Sequence, residues 1–142
     1  MHKILVPVNG SPSSDHAVQH VIALKRMGMD VEIQLLHVLP ALDMNDFPAV
    51  AAQPGLAERL ENDGAEHAFA PARRLLGDAG IPCSTRLVTG DPAQEIALHA
   101  DVHRCTEIVM GTRGLGPIKT LVLGSVATKV LHLVAIPVTL VK

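Results

Sequence analysis

The feature that most narrows the fold is Lys3–Val8 (KILVPV), a run that is apolar almost without a break. A strand with one face in water alternates apolar with polar residues. A run that stays apolar suits a strand buried on both faces, as in a parallel sheet covered by helices. Four more strand-like runs follow, Val31–Val38, Cys83–Val88, Thr106–Met110 and Pro137–Val141. Helical signals lie between them. Ser11 and Pro12 supply an N-cap and a first-turn proline, Ala17, Val21 and Leu24 repeat at helical spacing, and Gly28 closes the element. Leu56 to Ala79 also reads as helix, although Gly64 and Pro71 lie inside it, and Pro71 is expected to kink or split it. Asp91-Pro92-Ala93-Gln94 has the form of a capping box and opens a helix to about Val102. Ser125 opens a last helix to about Val134, with Val126 and Val130 on one face. The stretch from Leu39 to Gly55, with Pro40, Pro48 and Pro54, shows no period and is expected to be a long loop. Strand–helix alternation of this kind gives right-handed crossovers, hence an α/β, doubly wound parallel sheet with helices on both faces. The 142 residues make about one domain, residues 1–142.

Composition excludes several functions. No segment reaches the length of a membrane span, and MHKILVPV carries no long apolar stretch ending in a small-residue cleavage site, so a cytoplasmic protein is expected. The net charge is −2 and the basic residues are scattered, which argues against nucleic acid. Phe47 and Phe69 are the only aromatics, so there is no platform for stacking bases. Cys83 and Cys105 form no C-x-x-C and are expected to be reduced thiols.

In a doubly wound sheet, ligands lie beyond the carboxyl ends of the strands. Those positions are Val8-Asn9-Gly10-Ser11 after the first strand, Val38 at the end of the second, and Met110-Gly111-Thr112-Arg113-Gly114 after the fourth. The last group belongs to GTRGLGPIKTLVLGS, in which Gly124-Ser125 opens a helix. Outward amides at a helix start, a serine hydroxyl and Arg113 are suited to a phosphate. Neither the P-loop pattern nor the G-x-G-x-x-G fingerprint is present at its required place. Spacing alone leaves two readings open, a phosphate cradle or a pair of turns with Ser125 as a helix cap.

Taken in order, ILVPVNGSPSSDHA, LLHV, VTGDPAQEI, the G-x2-G-x9-G-S set at Gly111, Gly114, Gly124 and Ser125, and IPVTLV resemble the universal stress protein family over nearly the whole chain. The resemblance implies a five-stranded Rossmann-like sheet in the order 3-2-1-4-5, and the subclass whose glycine motif binds ATP, with Mg²⁺. It implies that Val38 offers backbone groups to adenine, that Pro7, Val8 and Asn9 line the adenosine side, and that Met110, Gly111, Arg113 and Gly114 cover the ribose and phosphates. Gly124, Ser125 and Val126 would hold phosphates at the helix start. It also implies a homodimer through the last strand, where Val138 and Leu140 share one face and Thr139 and Val141 the other. Asn9 departs from the family's usual Asp, replacing a pure acceptor with a group that also donates. Pro117, in the nine-residue spacer, removes a donor not assigned to phosphate.

The function expected from the resemblance is an ATP-binding cytoplasmic regulator in stress response. Asn9 favours a rival, a nucleotide-free dimer acting through protein contacts. A third reading is a slow ATP hydrolase, although no general base is identifiable. His16/His20 and His99/His103 stand four apart, and Asp101 within the second pair and Cys105 just after it add to that cluster, but no metal-site pattern emerges. His37 reads as a core or sheet-edge residue, and no serine sits in a nucleophile elbow.

Overall fold

The computed structural model describes residues 1–40, 53–113 and 123–142. Most of the expected loop, including Pro48, and the stretch holding Gly114, Pro117 and Lys119 lie outside the described residues. The elements are β1 (His2–Pro7), α1 (Pro12–Arg26), β2 (Val31–Leu39), α2 (Leu56–Asp78), β3 (Ser84–Thr89), α3 (Pro92–Val102), β4 (Glu107–Gly111), α4 (Ser125–Leu133) and β5 (Val138–Val141). Five strands form one sheet in the order β3-β2-β1-β4-β5, as the resemblance implied. All pairings are parallel, with Ile4 opposite Ile33 and Glu107, and Ile108 opposite Val138.

β1 is the central strand, and Ile4, Leu5 and Val6 are each 0% exposed. That is the physical reason for the unbroken apolar run: successive side chains enter opposite cores. Ile4 and Val6 pack with Val21, Leu35, Phe69 and Leu76 under α1 and α2. Leu5 packs with Leu36, Ile96, Ile108 and Val130 under α3 and α4. Fully burying each such side chain stabilises the fold by about 1.5–3 kcal/mol. Strand boundaries differ from the sequence reading by a residue or so, as hydrogen-bond assignment commonly does.

Pro71 does not split α2, which runs unbroken over 23 residues. Proline removes one backbone bond, whereas Phe69, Ala72 and Leu76 are buried on either side of it and hold the helix to the sheet. The His67 carbonyl, deprived of its donor four residues on, faces Gly10; a Cβ there would stand 2.6 Å from that oxygen.

The ends of α1 and α2 share one device. Gly28 and Gly80 take positive φ, and the next residue reaches back, Met29 to Leu24 and Ile81 to Leu76. α3 ends the same way on Arg104, at φ 54, with Cys105 bonding back to Ala100.

Candidate functional site

A cleft of about 270 Å³ opens where the carboxyl ends of β1, β2 and β4 meet the start of α4. Pro7, Val8 and Asn9 enter from β1, Val38 from β2, Met110, Gly111 and Arg113 from β4, and Gly124, Ser125 and Val126 from the start of α4. Every site residue expected from the sequence therefore lines this cleft, except Gly114, which lies outside the described residues.

The β1–α1 loop is fixed by its own polar groups. The Asn9 Oδ1 accepts from the Ser11 amide at 3.0 Å. Ser11, 2% exposed, caps α1 by accepting from the Ser14 amide at 3.2 Å, and the Ser14 hydroxyl donates back to the Ser11 carbonyl at 3.0 Å. Gly10, at φ +80, takes the backbone turn that connects them. From the next strand, the His37 Nδ1–H donates to the Val8 carbonyl at 2.8 Å, and the ring stands edge-on to Phe69 of α2 at 6.2 Å. His37 thus fixes this loop, a role its place in the sequence did not reveal.

Gly111 has a second purpose. A Cβ there would lie 2.6 Å from the Ser13 carbonyl oxygen and would collide with the Ser13 hydroxyl. Its bareness lets the first turn of α1 pack against the end of β4, where the Arg113 amide donates to Ser13 Oγ at 3.1 Å. The Gly124 amide donates to the Thr112 carbonyl at 2.6 Å and draws the start of α4 beside β4. Both the Arg113 and the Gly124 amides are thus engaged within the protein. Gly124 gives α4 no side-chain cap, and among the described residues nothing accepts from the amides of Ser125, Val126 and Ala127. The positive end of the helix dipole opens on the cleft there, with Arg113 and the Ser125 hydroxyl on the same lining.

The remaining walls are apolar. Leu36 and Val38 come from β2, Ile96 and Pro92 from α3, Met110 from β4 and Ala127 from α4. The α3 contribution was missed because the sequence reading weighed only residues directly following strands one, two and four. Ser14 was missed as well, since its place depends on α1 folding back over β4. No carboxylate lines the cleft among the described residues.

The histidine pairs lie elsewhere. His99 donates from Nε2 to Gln34 Oε1 at 3.1 Å and stacks on His103 at 4.1 Å. Burial, reinforced by His103, Arg86 and Lys3, lowers its pKa to about 4, so the ring is neutral. Among the described residues no three His, Cys, Asp or Glu side chains come together as a metal site. Cys83 and Cys105 are free, and burial pushes both thiols up, away from reactivity. No helix among the described residues is long and apolar enough to cross a membrane.

Known proteins place this architecture. The chain is 31% identical to universal stress protein MJ0531 of Methanocaldococcus jannaschii over 140 residues, covering 99% of this chain and 81% of that one. The solved structure of MJ0577 from the same organism superposes with a TM-score of 0.81 at 28% identity, over 99% of this chain and 95% of that one. An Arabidopsis thaliana member of the family, solved with AMP bound, has the same fold, with a TM-score of 0.71 at 23% identity over 100% and 92% of the two chains. The universal stress protein family model matches residues 1–142, and this chain belongs to that family.

Proposed function

We propose that the cleft binds an adenine nucleotide, ATP in the reading that the glycine motif brings, and that the protein is a small cytoplasmic regulator of the stress response whose nucleotide occupancy is read by a partner. The observation that carries this is the first turn of α4, which has no side-chain cap among the described residues, with Arg113 beside it, facing an apolar wall at the sheet's switch point. Each hydrogen bond from these groups to a charged phosphate contributes about 1.5–3 kcal/mol net. The apolar wall of Leu36, Val38, Ile96 and Met110 suits a planar base. AMP, dAMP and cAMP in solved members of the family support the same ligand class.

Magnesium fits this lining poorly. It favours carboxylate and phosphate oxygens, and the described lining offers hydroxyls but no carboxylate. A metal accompanying ATP would rest on the phosphates. For the same reason any hydrolysis would be slow, with no carboxylate to activate water. A homodimer through β5 completes the reading, because that strand is a sheet edge.

Purified protein, denatured and cleared, is expected to release adenine nucleotide, and stripped protein to bind added ATP or AMP by calorimetry. Ser125→Asp puts a carboxylate at the anion site and should cost at least about tenfold in affinity with the fold intact. No released nucleotide together with no heat on addition would sink the reading.

A further inference from the structure

Asn9 lies in the cleft lining, and its side-chain amide has a fixed polarity. An N–H can bond only to an acceptor, and the Ser11 amide points at the Asn9 side chain at 3.0 Å. The oxygen must therefore be the atom turned toward Ser11, and Nδ2 is the polar atom left over. Among the described residues Nδ2 has no acceptor. The backbone on either side of Asn9 is held in place. Val8, just before, is held through its carbonyl by His37 at 2.8 Å. Gly10, just after, lies against the His67 carbonyl that Pro71 leaves without a helical donor. Flipping the amide would set an N–H against the Ser11 N–H and leave that N–H without its acceptor.

We infer that Asn9 is a specificity-determining residue that presents a hydrogen-bond donor to the ligand, so that the nucleotide atom meeting it is an acceptor, a purine ring nitrogen or a ribose oxygen, and not an N–H group. This rests on the nucleotide reading of the cleft. An aspartate at this position would keep the Ser11 bond through one oxygen but would offer an acceptor and a negative charge with the other.

The test is calorimetric titration with AMP and with its 2′-deoxy, 3′-deoxy, 1-deaza, 3-deaza and 7-deaza analogues. Asn9→Asp is expected to weaken AMP binding by about tenfold or more, and Asn9→Ala by several-fold. One analogue, lacking the acceptor, should bind the wild-type protein more weakly than AMP does yet bind Asn9→Ala as well as AMP does. AMP binding by Asn9→Asp equal to or tighter than wild type, or no analogue coupled to Asn9, overturns the inference. Amide hydrogen exchange separates the two levels of failure without ligand. The Ser11 amide should be protected in wild type and in Asn9→Asp, and lose protection in Asn9→Ala. An unprotected Ser11 amide in wild type overturns the donor assignment alone. Wild-type protein that binds no adenine nucleotide overturns the functional reading and this inference with it.

Discussion

His99 shows how one buried side chain ties stability to pH. Its ring donates to Gln34 and stacks on His103, and burial lowers its pKa from 6.5 to about 4. The folded value lies below the unfolded one, so the unfolded chain takes up the proton first. The contribution is complete above about pH 6.5 and is lost as pH falls toward 4, on the order of 2 kcal/mol by pH 5. Urea unfolding at pH 7 and pH 5 should register that loss, and His99→Gln, which keeps an N–H for Gln34, should remove most of it. A wild-type protein equally stable at both values would contradict the assignment. The sequence paired His99 with His103 by their spacing, but Gln34 is 65 positions away, and only folding supplies it. Gly111 carries the same lesson. Its place in the glycine motif was legible, whereas the approach of Ser13 that requires a bare backbone was not.

At the level of elements, the caps were written plainly. Ser11 accepts from Ser14, Asp91 accepts from Gln94 at 3.1 Å, and proline follows each cap. The helix ends were half legible: Gly28 and Gly80 announce left-handed caps, but Arg104 fills the same position in α3 without announcing it. A non-glycine residue there costs roughly 1–2 kcal/mol, partly offset by glycine's greater freedom when unfolded. Arg104→Gly should therefore raise stability by about 0.5–1 kcal/mol, read as a higher urea midpoint at unchanged slope. An unchanged or lower midpoint would show that the Arg104 side chain stabilises the fold in another way. Pro71 was misjudged as a possible break because local propensity counts the lost bond and not the buried face that spans it.

For the whole molecule, the exposed edge of β5 sets a testable consequence. Ile108 and Thr112 of the neighbouring chain segment donate to the Pro137 and Val141 carbonyls, so the backbone groups of Val138 and Leu140 point to the outer edge. Val138 and Leu140 pack their side chains into the α3/α4 core, and Val141 packs on the other side, in the alternation read from the sequence. If that edge pairs with a second copy, Leu140→Pro removes an outward donor while sparing the bonds to β4. Sedimentation should then give the mass of two chains for the wild type and of one for the variant. Two chains in both cases would move the interface elsewhere.

The sequence by itself determined the succession of strands and helices, the doubly wound class, the burial of KILVPV on both faces, and most of the cleft lining, because periodicity, caps and turn residues act locally and the sheet's handedness leaves few ways to assemble them. Tertiary structure alone decided which backbone amides stay free. Gly124 gives its amide to Thr112, Arg113 gives its to Ser13, and the Asn9 oxygen is taken by Ser11, while among the described residues the amides of the first turn of α4 and the Asn9 nitrogen have no partner. A hydrogen bond between distant residues exists only once the chain has brought them within about 3 Å, and no local pattern records that.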